Sequence, residues 1–387
     1  MVRPLGLAEV LCRHGPAYLA SHSLSAAKAK AWRAIVACRT AALGGYIETC
    51  DTCGRTRQVY HSCRNRHCPQ CQTRAKEAWL ARRRRELLPV PYFHLVFTLP
   101  HDLNGLIGQC PRQGYELLFG AVSATLTEFA ANPRWLGGTP AFSLVLHTWK
   151  QDLGRHVHLH ALVAGGALTA AGAWVSAKRG FLFPVKALSQ VFRGKFVAAL
   201  QATVEQGELL GTTMAPTEWA RLKAKLHAHD WVVYAKQPLG GPAQVLEYLG
   251  RYTHRVAISN ERIVGIDEQS VRFRVRNREG KGKRTLALSA ESFIDRFLLH
   301  VLPKGFKRIR HYGLLGPAGK AERLTQARKA LSVPAPDPVV VASVADFLER
   351  IDRHAWVRCP CCATGRYVPT AAIVPVARGS PSLRGPP

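Results

Sequence analysis

Acidic residues are scarce in this chain of 387 residues, which has 25 Asp and Glu against 54 Lys and Arg. The formal net charge is +29, far beyond what solubility requires. Long apolar runs are also missing, because the most apolar stretch, 161–175, is rich in Gly and Ala and too short to span a bilayer. No secretory signal is visible. The sequence therefore predicts a cytoplasmic protein whose partner is a dense polyanion such as a nucleic acid.

The composition is otherwise that of a folded protein. Hydrophobic residues make up 47% of the chain, which excludes wholesale disorder. The length allows two or three domains with real cores. Eleven cysteines in a cytoplasmic chain favour metal binding over disulfides.

Shifts in composition and periodicity predict six segments. They are a helical segment at 1–45, a zinc-binding domain at 46–75, a basic linker helix at 76–91, a domain of strands and helices at 92–260, a basic β/helical extension contacting DNA at 261–335, and a Cys-knuckle segment with a disordered tail at 336–387. Within the fourth segment we expect strands over 92–99, 142–149 and 156–163 and a helix over 114–131.

The cysteine spacing is the most specific pattern in the chain. Cys50-x2-Cys53 is followed by Cys68-x2-Cys71, and two such knuckles can place four thiolates around one Zn²⁺. Cys63 and His67 lie between the knuckles and are alternate ligands. A structural zinc with four protein ligands has no open position for chemistry, so its role would be in folding or in presenting arginines to DNA.

Six further cysteines, among them Cys361, lie outside this cluster. Cys359-x2-Cys362 forms another knuckle near the C-terminus, with no second pair beside it in the sequence. Cys12, Cys38 and Cys110 occur in helical or loop contexts, where cysteine is usually a small buried hydrophobe.

Three histidines alternate in the segment from His156 to His160, which places His156, His158 and His160 on one face of a strand. If a hairpin turn centres on Asp152 and Leu153, position i pairs with position 305 − i, so His147 lies opposite His158 on the same face. Three imidazoles with open positions suit a catalytic divalent metal. His156 and Gln244 are alternatives to His147 as third ligand.

Tyr248 and Tyr252 are four residues apart in a helix expected over about 242–254, so they share a face. With Val245 and Leu249 they also form an ordinary apolar stripe. A phenol with a pKa of about 10 is a poor nucleophile at neutral pH, so it needs a polarised phosphate. A divalent metal on the histidine face would polarise a phosphodiester for attack by either tyrosine.

Several segments together carry a family resemblance. The chain resembles the two-tyrosine HUH endonucleases (His–hydrophobic–His), specifically the transposases of the insertion sequence 91 family, which move by a rolling-circle route. The segments that carry it, together with the C-terminal knuckle, are SCRNRHCPQC (Ser62–Cys71), FTLPHDLN (Phe97–Asn104), LHTWKQDLGRHVHLH (Leu146–His160), EYLGRYTHRVAISN (Glu247–Asn260) and LPKGFKRIRHYGLL (Leu302–Leu315).

The resemblance implies an α+β fold in which residues 92–260 form an HUH catalytic domain, a central antiparallel sheet flanked by helices. It implies that His158 and His160 are the HUH pair, that Tyr248 and Tyr252 are the nucleophiles, and that Mg²⁺ or Mn²⁺ binds at the histidines. It also implies an N-terminal zinc-binding domain and single-stranded transposon ends and target DNA as partners. A rolling-circle replication initiator or relaxase has the same chemistry, and a non-catalytic zinc-dependent DNA-binding regulator is the alternative outside the enzymes.

Three basic strips are candidates to follow the DNA backbone. Their residues are Arg82, Arg83, Arg84 and Arg85 in the linker helix, Arg272, Arg274 and Arg276 in a predicted strand, and Lys304, Lys307, Arg308 and Arg310 further on. Trp149, Phe306 and Tyr312 are candidate platforms for base stacking.

Overall fold

The computed structural model of the chain describes residues 5–71, 76, 79–80, 82–178, 180–207, 214–239, 244–245, 250, 256–277, 282–336 and 358–376. Nine helices are defined within these ranges. They are α1 (Leu7–Arg13), α2 (Gly15–Ser21), α3 (Ala26–Ala37), α4 (Asn104–Gln109), α5 (Pro111–Ala131), α6 (Val185–Glu205), α7 (Pro216–Ala228), α8 (Ala290–Leu298) and α9 (Lys320–Ala330).

Twelve strands are defined within the same ranges. They are β1 (Gly45–Cys50), β2 (Thr56–Tyr60), β3 (Tyr92–Thr98), β4 (Thr139–Trp149), β5 (Arg155–Leu168), β6 (Trp174–Ser176), β7 (Val233–Leu239), β8 (Ile263–Ile266), β9 (Ser270–Arg276), β10 (Lys283–Ser289), β11 (Ile309–Gly313) and β12 (Tyr367–Ile373). Short 3₁₀ turns occur at Ala41–Leu43, Pro69–Cys71, His101–Leu103 and Asn260–Arg262.

The described residues divide into two compact units. The first takes its residues from 1–75, 258–301 and 338–387, and the second from 76–257 and 302–337. One boundary between the units falls at 75/76. The expected extension 261–335 is shared between the two units, because β8, β9, β10 and α8 belong to the first and β11 and α9 to the second.

The second unit is built on a six-stranded antiparallel sheet in the order β11-β4-β5-β3-β7, with β6 paired to β5. One face of the sheet, which includes Val157, Leu159 and Ala161 of β5, packs against α5 and α6 in the larger core cluster. The other face packs Leu162 and Ala164 against residues of α9 in a smaller cluster. Helices therefore flank a central antiparallel sheet, and the α+β prediction is confirmed.

The first unit contains two three-stranded antiparallel sheets, β12-β1-β2 and β10-β9-β8. In β9 the burial alternates, with Val271, Phe273 and Val275 inside and the intervening arginines exposed. Helix α8 follows, capped by Ser289 Oγ, which accepts a hydrogen bond from the Ser292 N–H at 3.2 Å. Its Phe293 packs edge-on to Phe273, with ring centroids 5.6 Å apart.

The predicted strands and helices agree with this structure to within a few residues, except that β5 runs on to Leu168. Several described elements lacked a clear periodic signal in the sequence, namely β1, β2, β11 and β12. Among the described residues, no helix combines the length and apolar character needed to cross a membrane.

Candidate active site

Three histidines converge on the face of the central sheet opposite its larger core. In the β4–β5 hairpin His147 pairs with His158, Leu146 with Leu159 and Val145 with His160. The predicted register, in which paired positions sum to 305, is therefore confirmed. Nitrogen atoms of His147, His158 and His160 all lie within 4.8 Å of one another.

The turn that sets this register is compact. Leu153 is fully buried and adopts a left-handed backbone with φ of 63°. The Gly154 N–H donates to Asp152 Oδ1 at 2.9 Å, and the Lys150 N–H donates to the Gly154 carbonyl at 2.9 Å. These bonds close the hairpin at the predicted place. The pairing of β4 with β5 has a register shift between His147 and Trp149 of β4.

Hydrogen bonds orient two of the three rings for metal binding. His158 Nδ1–H donates to the backbone carbonyl of His156 at 2.9 Å, which leaves the Nε2 lone pair of His158 for a metal. His160 Nδ1 lies 2.9 Å from His94 Nε2, and the two rings stack with centroids 5.1 Å apart. If His160 donates this bond, its Nε2 is likewise left for a metal.

Burial keeps the neighbouring imidazoles neutral. It lowers the pKa of His158 to about 4, although the hydrogen bond to the His156 carbonyl opposes the shift. Burial, then the charge of Lys236, lowers the pKa of His94 to about 3. Neutral imidazole is the form that binds metal ions, so His158 is prepared for a cation across the physiological pH range.

His94 is a site residue that the sequence patterns did not single out. It lies in β3, two residues from Val96, which pairs with His160. Its side chain is 2% exposed. A signal was available in the sequence, because alternate residues of a strand share a face. His94 and Val96 therefore lie on the face of β3 that continues the histidine face of β5.

His156 and Gln244 are the alternative third ligands named from the sequence. His156 faces His158 at a ring distance of 4.9 Å and His101 at 5.6 Å, and its buried Nδ1 has no hydrogen-bond partner among the described residues. Gln244 is exposed. The structure brings His147 to the pair of His158 and His160.

Tyr248 and Tyr252 lie outside the described residues, as does most of the predicted helix 242–254. The described parts of that segment, Gln244, Val245 and Gly250, are helical, and Val245 is fully buried in the smaller core cluster. A Cβ on Gly250 would come within 2.7 Å of the Lys76 side chain and 3.1 Å of Leu80. Gly250 thus permits a close approach of the helical residues around Leu80.

The expected single cluster of Cys50, Cys53, Cys68 and Cys71 is corrected by the structure. Cys68 and Cys71 group with Cys38 and Cys63, whereas Cys50 and Cys53 group with Cys359 and Cys362. Cys63 thus belongs to a cluster as expected of an alternate ligand, while His67 stands outside both groups. Cys38 is not merely a small buried hydrophobe. The two sequence-adjacent knuckles separate because Cys50 ends β1, which pairs with β12 and so brings Cys50 beside the C-terminal knuckle.

Both clusters have the chemistry and spacing of a tetrathiolate zinc site. Sulfur pairs lie 3.5 Å apart in Cys38–Cys71, 3.6 Å in Cys63–Cys71, 3.7 Å in Cys50–Cys362 and 3.6 Å in Cys53–Cys359. A tetrahedron with Zn–S bonds of about 2.3 Å has S···S edges of about 3.8 Å. A disulfide needs sulfurs about 2.0 Å apart, so these pairs are thiols arranged around a common centre.

The basic strips differ in what they present. Arg82, Arg84 and Arg85 are exposed, but Arg83 turns inward, with an ion pair to Glu86 at 2.5 Å. Lys304 and Lys307 are exposed, and the alternate arginines of β9 are exposed as well.

Arg308 and Arg310 are less exposed than Lys304 and Lys307 of the same strip. Arg308 is 9% exposed. Arg310 forms a bidentate ion pair with Glu116 at 2.6 and 2.8 Å and lies over the Phe119 ring at 4.2 Å. Phe306 is 2% exposed within the larger core, so it is a packing residue and not a stacking platform.

An α+β chain with an open imidazole cluster, two thiolate clusters and a large positive charge has the features of a metal-binding protein that acts on nucleic acid. Residues 141–323 match the family model described as "Putative transposase", and residues 10–99 match the one described as "Transposase zinc-binding domain".

Two relatives agree with these matches. The chain is 44% identical to "Putative transposase y4qJ" of Sinorhizobium fredii (strain NBRC 101917 / NGR234), over 94% of each chain. It is 26% identical to "Transposase for insertion sequence element IS801" of Pseudomonas savastanoi pv. phaseolicola, over 88% of this chain and 82% of that relative. The chain belongs to the insertion sequence 91 family of transposases.

Proposed function

We propose that the protein nicks and rejoins single-stranded DNA at transposon ends by tyrosine attack on a phosphodiester, with a divalent cation held by His147, His158 and His160. The observation that carries the proposal is the imidazole cluster on the β4–β5 hairpin, with His158 Nδ1–H committed to a backbone carbonyl. A Mg²⁺ or Mn²⁺ ion bound there would act as a Lewis acid on a phosphate oxygen.

The chain's own groups carry out the remaining steps. The phenolic oxygen of Tyr248 or Tyr252 forms a bond to phosphorus, the P–O3′ bond breaks, and the phenol proton ends on the departing 3′ oxygen. The products are a 5′-phosphotyrosine linkage and a free 3′-hydroxyl. The bond energy is retained, so attack by a 3′-hydroxyl reverses the step and joins strands without ATP.

Two tyrosines four residues apart allow two strands to be held covalently, together or in turn. Such exchange between strand ends is what rolling-circle transposition requires. The net charge of +29 favours binding of the DNA strands, which are polyanions.

We assign the zinc of the zinc-binding domain to Cys38, Cys63, Cys68 and Cys71. This cluster lies wholly inside the matched range 10–99, and its four thiolates would fill every position of a tetrahedral ion. Its role is therefore structural: the site ties α3 to the loop between β2 and the 3₁₀ turn at Pro69–Cys71.

The direct test mixes the purified full chain with labelled single-stranded oligonucleotides carrying the ends of the element, in Mn²⁺. We expect a covalent protein–DNA adduct that resists denaturation and carries the label when it lies on the 3′ side of the break, because that fragment keeps the 5′ phosphate joined to the tyrosine. Tyr248→Phe and Tyr252→Phe should each alter adduct formation, and the double variant should abolish it. Tyr234→Phe, which changes an exposed tyrosine on β7, is the matched control.

His158→Ala should also abolish the adduct, whereas His229→Ala, at an exposed position after α7, should leave it intact. A preparation that binds the oligonucleotide but forms no adduct in Mn²⁺ would overturn the proposal. Unchanged DNA binding by the double tyrosine variant, with no adduct from the wild type, would point instead to a non-catalytic DNA-binding regulator.

A further inference from the structure

The C-terminal cysteine knuckle lies against the N-terminal one, in a site that falls partly outside the matched zinc-binding domain. Cys359 and Cys362 are far beyond residue 99, where that match ends. Their sulfurs approach those of Cys53 and Cys50, which are more than 300 residues earlier in the chain.

The two knuckles have the same backbone conformation. In the first, the Gly54 N–H donates to the Cys50 carbonyl at 3.1 Å, and in the second the Ala363 N–H donates to the Cys359 carbonyl at 2.9 Å. Gly54 and Ala363 both have left-handed backbones, with φ of 70° and 58°. Two like turns facing each other present four thiols to one centre, which is how paired knuckles build a zinc site.

Backbone N–H groups also point at the sulfurs of the second knuckle. The Cys361 N–H donates to Cys359 Sγ at 3.4 Å and the Gly365 N–H to Cys362 Sγ at 3.3 Å. Donors aimed at sulfur stabilise the thiolate, the form that ligates metal. Cys359 Sγ also lies 3.7 Å from the Tyr367 hydroxyl oxygen.

The surrounding chain is shaped around the cluster. A Cβ on Gly365 would lie 2.3 Å from Cys50 Sγ and 2.8 Å from the Thr52 side chain, so only glycine fits there. The Asp51 N–H donates to the Arg366 carbonyl at 3.0 Å, and the Arg366 N–H donates to Asp51 Oδ1 at 2.8 Å. These bonds hold the two knuckles together from outside the sulfur cluster.

We infer that Cys50, Cys53, Cys359 and Cys362 bind a second structural Zn²⁺, so that the zinc-binding unit contains two ions and is completed by the C-terminal segment. The adjoining sheet also combines an N-terminal segment with a C-terminal one. In it β12 pairs along the whole of β1, from Gly45 opposite Ile373 to Cys50 opposite Tyr367. The second ion thus fastens together two parts of the chain that the other cluster does not join.

The test is the zinc content of the purified full chain, measured by elemental analysis and by native mass spectrometry. Cys359→Ser/Cys362→Ser should contain one zinc fewer than the wild type, and so should Cys63→Ser/Cys71→Ser, with the two losses additive. Cys361→Ser is the matched control: this cysteine lies within the same knuckle but is exposed and outside the cluster, so both ions should remain.

Two further variants separate coordination from folding. Cys362→His supplies an imidazole that zinc accepts beside three thiolates, so it should retain the ion that Cys362→Ser loses. Gly365→Ala leaves every ligand in place but crowds Cys50 Sγ, so zinc should be lost from this site under mild chelation faster than from the wild type.

Unchanged zinc content in Cys359→Ser/Cys362→Ser would overturn the inference, as would equal zinc loss in Cys361→Ser. A mass lower by the hydrogens of disulfide formation, without bound zinc, would overturn it in favour of oxidised pairs. Because zinc content is measured without DNA, the outcome is independent of the nicking activity proposed above.

Discussion

His311 in β11 is a neutral imidazole fixed by two neighbours. Arg83 Nη1 lies 3.1 Å from its Nε2 and can only donate, so Nε2 accepts. The Nδ1–H then donates to Ser143 Oγ at 2.7 Å. Burial, followed by the charges of Arg83 and Lys320, lowers the pKa of His311 to about 3. Protonation would therefore break the contact with Arg83 and leave two cations together.

This arrangement predicts acid sensitivity. A histidine whose pKa is lowered by folding stabilises the fold above the unfolded pKa of about 6.5, and this stabilisation is lost as pH falls from there toward the folded pKa. When the pH falls from 7.5 to 5.5, His311 should therefore lower the free energy of unfolding by about 1.4 kcal/mol. Urea unfolding at pH 7.5 and 5.5 measures this effect. Between these pH values the free energy of unfolding of His311→Gln should decrease by about 1.4 kcal/mol less than that of the wild type. The exposed His229→Gln should behave as wild type, and an equal decrease in His311→Gln would contradict the assignment.

His94 positions His160 without being one of the three grouped ligands. Its Nε2 lies 2.9 Å from His160 Nδ1. Removing such a partner from a metal-ligating histidine typically costs about 10–100-fold in metal affinity. His94→Leu should raise the Mn²⁺ concentration needed for half-maximal binding by about tenfold or more. His94→Gln, whose amide oxygen can accept the same bond, should recover part of the loss. Equal affinity in His94→Leu and wild type, by calorimetric titration, would remove His94 from this role.

At the scale of elements, edge strand β11 depends on its last residue. Gly313 has a left-handed backbone with φ of 59°, and a Cβ there would lie 1.8 Å from the Pro140 carbonyl oxygen. Gly313→Ala should therefore lower the free energy of unfolding by about 2–4 kcal/mol, through strain and crowding together. Gly105→Ala, where a Cβ meets nothing within 4 Å, is the control for urea unfolding. A Gly313→Ala protein as stable as this control would show that β11 adjusts.

The histidine hairpin was predictable because its signals are local. Alternation in β5 placed Val157, Leu159 and Ala161 in the core, and the short turn at Asp152 and Gly154 fixed the register that aligns His147 with His158. Pairing of nearby residues follows from period and turn length alone.

The cysteine grouping was not predictable in the same way. Spacing favours joining Cys50 and Cys53 to Cys68 and Cys71. However, β12 comes from the far end of the chain and pairs with β1, which places Cys50 and Cys53 beside Cys359 and Cys362 instead. The ion pair of Arg310 could not be read from the sequence for a related reason, since its partner Glu116 is 194 residues away. A basic strip in sequence shows which charges exist, and only the fold shows which are already paired. Tyr248 and Tyr252 remain predictions from sequence.

At the scale of the whole molecule, the charge of +29 should make DNA binding strongly salt-dependent. Each phosphate contact on a single strand contributes about 0.7 to the slope of log affinity against log salt concentration. Lys304→Ala/Lys307→Ala, at two exposed positions, should reduce the magnitude of the slope by up to about 1.4 if both contact DNA.

A double variant of equal charge separates contact from bulk charge. Lys186→Ala/Lys225→Ala alters two exposed lysines on α6 and α7 and should leave the slope nearly unchanged. Fluorescence anisotropy with a labelled oligonucleotide over a range of salt concentrations measures both. Equal slopes for the two double variants would mean that Lys304 and Lys307 make no direct phosphate contact.

The pairing of β1 with β12 has a consequence for the order in which the protein matures during synthesis. Residues 45–50 leave the ribosome early, yet their strand partner at 367–373 is translated more than 300 residues later. The second unit, whose residues end at 337, can be complete before that partner exists. A copy of the gene interrupted near its 3′ end would thus encode the histidine hairpin intact, but its N-terminal sheet would never receive its third strand.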